Sequence, residues 1–149
     1  MIARKATRGD FPALIRMSVK FHELLDMRDL PLDPDSLWRW LEHLEHQHVL
    51  AVVEDDERNV VGALGGMLAP VFFNDVLLIG QELFWWVDPE HRAGGAGVAL
   101  LDEAERQARE AGCVRWNMLN LAHVQPEAMA RLYRKQGYNQ IETTWSKVL

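Results

Sequence analysis

Apolar positions recur along the chain with two periods, near 3.6 and near 2, and their succession predicts an α/β order of elements. Residues 2–6 read as a short edge strand. Phe11, Leu14, Ile15, Phe21, Leu24 and Leu25 follow at helical spacing. This first helix opens at Asp10 as N-cap, with Pro12 in its first turn, and runs to about Asp26. Pro31-Leu32-Asp33-Pro34 breaks the chain and starts a second helix whose apolar stripe is Leu37, Trp40, Leu41 and Leu44. Trp38 lies off that stripe, either as a flank of the core or as the lining of a pocket or interface. Residues 48–54 and 60–68, rich in Val and Leu, flank the polar turn 55–59 as a hairpin. Gly62, Gly65 and Gly66 in its second strand point to close packing, a bulge or ligand approach. Between Ala69 and Gly80, Val71-Phe72-Phe73 and Val76-Leu77-Leu78-Ile79 are too apolar for an ordinary loop. They either extend the hairpin or fold as a lid over a pocket.

The second half repeats the alternation. Residues 82–88 form a strand and residues 95–111 a helix, with Val98, Leu101, Ala104, Ala108 and Ala111 facing inward. Asp102, Glu103, Arg106, Gln107, Arg109 and Glu110 face out. Gly112 ends the helix and residues 114–119 form the next strand, a strand–helix–strand unit expected to be parallel and right-handed. Pro126 starts a last helix carrying Ala128, Met129, Leu132 and Tyr133, closed at Gly137. Residues 138–148 supply one or two final strands. With no repeat, low-complexity tract or linker, residues 1–149 are read as a single α/β domain.

Charge and composition narrow the partners. A formal charge of −6 argues against a broad nucleic-acid surface. No stretch approaches the roughly 20 apolar residues of a bilayer span, and residues 1–8 have no apolar signal core. A cytoplasmic protein with no membrane partner is expected. The single Cys113 excludes an intramolecular disulfide and reads as a buried structural thiol. His43, His46 and His48 cluster, but no Cys or placed carboxylate completes a zinc set, so no metal is expected and the histidines are read as solvated.

The most informative stretch runs from Trp85 to Val98. An apolar run ends at Asp88-Pro89, a glycine-rich turn follows, and a helical pattern begins at once. A strand delivering backbone N–H groups to a helix N-terminus suits a phosphate, and Arg92 stands at the entrance to pair with a second phosphate oxygen. There is no Gly-Lys-Ser/Thr, which excludes a Walker loop, and the glycines lack the spacing of dinucleotide binding.

Arg92-Ala93-Gly94-Gly95-Ala96-Gly97 matches Arg/Gln-x-x-Gly-x-Gly/Ala, the acyl-CoA signature of the GNAT superfamily of N-acetyltransferases. Arg131-Leu132-Tyr133-Arg134-Lys135-Gln136-Gly137-Tyr138 is similar to that family's helix-to-strand segment. With the order of elements, the chain resembles GNAT enzymes over nearly its whole length. The resemblance implies a central mixed, mostly antiparallel twisted sheet of six to seven strands flanked by about four helices. It also implies acetyl-CoA as co-substrate, with its diphosphate on the N–H groups of Ala93, Gly94, Gly95, Ala96, Gly97 and Val98. The pantetheine arm would lie along Trp85, Trp86 and Val87, where a bulge splays this strand from residues 114–119. A backbone N–H near Trp86 or Val87 would polarise the thioester carbonyl.

For the chemistry, an alkylammonium must lose a proton before it attacks, and the departing thiolate benefits from a donor. Tyr133, at the family's tyrosine position, is the candidate general acid, or else a core tyrosine. Glu82 is the candidate base, acting directly or through water, or else an ordinary strand-end carboxylate; alternation puts it on one face with Phe84 and Trp86, unless a bulge resets that parity. Glu23 and Asp75 are substitutes. Family members often carry an Asn early in the last helix; Pro126 stands near that place, leaving Asn120 or Gln125 to contact pantetheine. Trp85 and Trp86 line the acceptor pocket or belong to the core. The implied activity is acetyl transfer to a primary amine, on a small molecule or peptide, by direct attack in a ternary complex. The alternatives are a non-catalytic acyl-CoA-binding protein and a protein-modifying acetyltransferase. The apolar stretch 71–79 suggests a homodimer.

Overall fold

The computed structural model describes residues 1–149. Its strands are β1 (Ile2–Lys5), β2 (Val49–Glu54), β3 (Val60–Val71), β4 (Asn74–Val87) and β5 (Cys113–Asn117). Its helices are α1 (Phe11–Leu25), α2 (Pro34–Gln47), α3 (Ala96–Glu110) and α4 (Pro126–Lys135). The sheet order is β1-β2-β3-β4-β5. The first four strands are antiparallel, and α3 carries the chain over to a β5 parallel to β4. This is the mixed, mostly antiparallel α/β arrangement expected. It has five strands rather than six or seven, because residues 139–149 make no backbone hydrogen bond. No helix is long and apolar enough to cross a membrane.

Two clusters of buried side chains lie on the two faces of the sheet. Phe11, Leu14 and Met17 of α1 and Leu41 and Leu44 of α2 meet Leu50, Val52, Ala63 and Trp86 on one face. Ala96, Leu100, Ala104 and Ala108 of α3 meet Val49, Ala51, Val53, Leu64 and Val87 on the other. The alternation of β2, buried on both sides, divides its residues between the clusters.

Several local expectations change. Asp10 holds the N-cap position of α1 but its side chain does not cap the helix: the carboxylate instead accepts from the Thr7 N–H and from both terminal nitrogens of Arg4. Asp33 does cap α2, accepting the Asp35 N–H at 3.2 Å. Trp40 is exposed on α2, while Trp38 flanks the core, edge-on to Phe11 at 5.1 Å. Glu103 and Gln107, expected outside, are buried. The Gln107 amide bonds both the N–H and the carbonyl of Leu50, and Glu103 is held by Arg106 and Gln107. Ala111 is exposed instead. Residues 69–80 extend the β3–β4 hairpin to a tip at Phe72 and Phe73, which are 94% and 90% exposed.

The glycines of the hairpin serve close packing. Trp116 of β5 packs over Gly66 and Gly80, where an added Cβ would fall 2.4 Å from its ring in both cases. At Gly66 that Cβ would also meet the Gln81 carbonyl oxygen at 2.6 Å, and a backbone atom cannot swing aside. Gly66→Ala is therefore expected to destabilise the fold by about 1–3 kcal/mol, the range for overpacking. Thermal unfolding checks this, and a variant as stable as the parent would refute it.

Candidate active site

β5 runs beside β4 only from Leu78 to Gln81. From Glu82 to Val87, β4 keeps β3 on one side and has no strand on the other, so a gap opens between the parting strands. The Asp88 N–H donates to the Val61 carbonyl at 2.8 Å. Backbone direction alternates along an antiparallel strand, so Val87 and Trp85 turn their peptide groups away from β3, toward the gap. The Val87 carbonyl there accepts Arg92 Nε at 2.9 Å.

A bulge sets what faces this gap. Gly65 pairs with Phe84 and Gly66 with Glu82, leaving Leu83 without a partner. One extra residue inverts the alternation. Phe84 and Trp86 pack on the α1/α2 face, whereas Glu82 lies with Trp85 and Tyr133 on the other. The expectation that Glu82 shares a face with Phe84 and Trp86 is thus corrected, because the bulge resets its parity.

Glu82 is only 6% exposed and accepts the Leu119 N–H at 2.9 Å. Burial pushes its carboxyl up to about 7, against the pull of that N–H. The Tyr133 hydroxyl donates to the carbonyl of the same Leu119. Burial, and then the Glu82 charge, hold the phenol well above its ordinary value, so it stays protonated. One residue just past the end of β5 thus links the two candidate catalytic side chains. Leu119 was not anticipated from sequence: it acts through its peptide groups, and its side-chain type carries no signal. Trp85 stacks on Tyr133 with ring centroids 6.1 Å apart, and its buried Nε1–H has no partner. Glu23 and Asp75 are both exposed, and Asp75 stands at the hairpin tip, far along β4 from Glu82.

At the head of the gap the chain makes a 3₁₀ turn over Pro89–Gly94, and Gly95 at φ +81° starts α3. Gly95 has no side chain to cap the helix, so the first-turn N–H groups of Ala96, Gly97 and Val98 have no partner within α3. Arg92, Ala93, Gly94 and Gly95 are exposed, Gly97 and Val98 half-buried, and the Ala96 side chain is buried in the core. A Cβ on Gly97 would come within 3.1 Å of the Trp85 ring. Trp85 and Trp86 sit on opposite faces. Trp86 is core, donating Nε1–H to Asp88 beside Lys20, whose ammonium bonds the same oxygen at 2.8 Å. The Arg92 guanidinium lies 5.1 Å from the Trp86 ring centre. Asn120 is exposed and donates to the Pro126 carbonyl at 3.3 Å, on the turn that leads into α4; Gln125 precedes that helix at φ 44°.

Two remaining candidates lie elsewhere. Cys113, half-buried rather than buried, starts β5 opposite Leu78, away from Glu82, and desolvation raises its thiol. His43 and His48 are half-buried rather than solvated, Nε2 to Nε2 at 3.0 Å. The Leu68 N–H donates to His48 Nδ1 at 3.1 Å, which assigns the His48 proton to Nε2. Burial and His43 hold His48 below its ordinary range.

Comparison with known proteins bears on this geometry. The model of the acetyltransferase (GNAT) family matches residues 13–138. A Trypanosoma brucei acetyltransferase superposes with a TM-score of 0.74 at 20% identity, covering 99% of this chain and 98% of that one. Glucosamine-6-phosphate N-acetyltransferase from Arabidopsis thaliana gives 0.75 at 16%, covering 98% and 96%. Ribosomal-protein-alanine N-acetyltransferase from Brucella melitensis biovar Abortus 2308 gives 0.72 at 17%, covering 100% of both. No curated protein sequence matches. At such identities the structures speak for the fold, and the family model, spanning both glycine loop and α4, speaks for membership. The chain belongs to the GNAT acetyltransferase family.

Proposed function

We propose that this protein transfers an acetyl group from acetyl-CoA to a primary amine by direct attack within a ternary complex. The observation that carries the reading is the Glu82–Leu119–Tyr133 linkage beside the gap where β4 and β5 part. The residues present suit an acyl-CoA. The open edge of β4 offers the peptide groups of Trp85 and the N–H of Val87, whose carbonyl is held by Arg92, to an extended amide-bearing arm. Beyond it, the exposed turn Arg92, Ala93, Gly94 and Gly95 leads into the uncapped helix start at Ala96, Gly97 and Val98, an arrangement suited to a diphosphate. When bound, acetyl-CoA supplies the activated acyl group. Asn120, tied to the Pro126 carbonyl, is the weakest of the proposed contacts.

In this reading the Glu82 carboxylate takes the proton from the incoming ammonium, directly or through one water. A value pushed up to about 7 suits it for that exchange near neutral pH. Tyr133 moves its hydroxyl proton from the Leu119 carbonyl toward the departing sulfur, and the second proton, shed by the attacking nitrogen as the C–S bond breaks, returns to the Tyr133 oxygen through water. A backbone N–H on the open edge of β4 polarises the acyl carbonyl. Cys113, at the other end of β5, takes no part and no acyl-enzyme forms.

The test is release of free CoA from acetyl-CoA with a panel of small amines and peptide N-termini. Binding without release by any acceptor would favour a non-catalytic acyl-CoA-binding protein and sink the enzymatic reading. Tyr133→Phe is expected to lower kcat about 100-fold, within the usual span for a general acid, with KM for acetyl-CoA nearly unchanged. An unchanged kcat across pH would remove Tyr133 from the acid role.

A further inference from the structure

The last turns of α1 are tied to both sides of the gap where β4 and β5 part. On the β4 side, Lys20 Nζ bonds the Asp88 carboxylate at 2.8 Å, one residue past the end of that strand. This tie is firm. Asp88 is buried, the same oxygen takes the Trp86 indole N–H at 3.1 Å, and the Asp88 N–H is held by Val61. Leu24, one helical turn after Lys20, reaches the other side. Its carbonyl is among the last four of α1, which have no donor within the helix, and it meets His123 Nε2 at 2.8 Å. A carbonyl only accepts, so the shared proton sits on Nε2. Between the two ties, Phe21 packs on the cluster that holds Phe84 and Trp86.

His123 belongs to the loop 118–125 between β5 and α4. Leu119 of that loop holds Glu82 through its N–H and Tyr133 through its carbonyl. The loop's other hydrogen bonds stay with near neighbours in sequence: Trp116 to Met118, Asn120 to Pro126 and Val124 to Leu121. His123 is therefore the loop's one hydrogen bond to the helices on the opposite face of the sheet. Left-handed residues that are not glycine stand just beyond each partner, Asp26 at φ 51° after Leu24 and Gln125 at φ 44° after His123. Such backbone persists where its surroundings hold it in place.

We propose that α1 braces the gap and that His123 is a positioning residue. Its bond to Leu24 fixes the loop that carries Leu119, and through Leu119 the placement of Glu82 against Tyr133. The role rests on the acetyl-transfer reading, which supplies the reaction this placement serves. His123 makes no hydrogen bond to the β4 edge or to the glycine turn, so the brace governs the chemical step rather than the binding of acetyl-CoA.

His123→Ala removes an exposed side chain and should leave circular dichroism unchanged. Without any substrate, exchange of the Leu119 amide proton, followed by NMR, is expected to quicken about tenfold. With acetyl-CoA and an acceptor amine, kcat should fall about tenfold, a loss of orientation, while the Kd of acetyl-CoA by isothermal titration stays the same. His123→Gln keeps an N–H donor and should bring both exchange and kcat back to within about twofold of the parent. Unchanged Leu119 exchange in the alanine variant would overturn the proposal, as would a loss that falls on acetyl-CoA binding instead of kcat or one that glutamine does not restore. If the parent itself transfers no acetyl group, the acetyl-transfer reading fails and His123 loses its role in catalysis, while the exchange result still decides whether α1 braces the loop.

Discussion

Glu82→Gln is expected to abolish most acetyl transfer and, above neutral pH, to make the protein more stable. Both effects come from one buried carboxyl. It is 6% exposed, its one hydrogen-bond donor is the Leu119 N–H, and burial pushes it up to about 7 from an ordinary 4.5. Between those values the native state holds a proton that the unfolded chain has released, so stability falls as pH rises through that window. It is greatest below about 4.5 and has been lost by pH 8, where the ionised carboxylate costs about 3 kcal/mol. Glutamine keeps the shape and an oxygen for Leu119 but never ionises. The variant and parent should therefore unfold alike at and below about pH 4.5, separate as pH rises toward 7 and stay apart above it, with the variant higher in Tm. Catalysis should move the other way. The parent's kcat/KM should rise with pH and level off above about 7, measured with an acceptor amine that titrates outside that range. Glu82→Gln should fall about 10²–10⁴-fold, the span for a lost general base. A variant within threefold of the parent would remove Glu82 from the base role. A stability gain without loss of rate would leave it a buried carboxyl and nothing more.

How far this site was legible in the sequence depends on how local each feature is. The glycine loop from Arg92 to Val98 and the segment from Arg131 to Tyr138 were legible because backbone turn, helix start and helix stop are written in neighbouring residues. The order of elements followed from periodicity for the same reason. The face of Glu82 was not legible, because the bulge at Leu83 is a property of two strands: it shows only when Gly65 and Gly66 are set against Phe84 and Glu82. Leu119 was invisible since it works through its peptide. Gln107 and Glu103 read as surface residues by type, yet the sheet needed an amide beside Leu50, and Gln107 in turn needed a carboxylate. Residues 138–148 read as one or two final strands, yet residues 139–149 make no backbone hydrogen bond, because a strand needs a neighbouring edge to pair with and composition does not encode that edge.

The diphosphate end of the site is tested most sharply at Gly95. Its φ of +81° lies in the left-handed region that glycine adopts freely and other residues adopt at about 1–2 kcal/mol. No atom lies within 4 Å of the Cβ it lacks, so a side chain there meets no neighbour and the fold should survive. That side chain would occupy the approach to the first-turn N–H groups of Ala96, Gly97 and Val98. Gly95→Trp is accordingly expected to weaken acetyl-CoA binding at least about 100-fold by isothermal titration, equivalent to about 2.7 kcal/mol. Gly95→Ala carries the same backbone strain with far less bulk and should bind within a few-fold of the parent, so the pair separates strain from occlusion. Equal losses in both would mean that helix entry is being distorted rather than a ligand excluded. Binding by Gly95→Trp as tight as the parent would place the diphosphate elsewhere, and the reading of residues 92–98 as its cradle would fail with it. Loss confined to the tryptophan variant would tie the exposed turn to the ligand through its backbone, the one part of the loop that side-chain chemistry does not reveal.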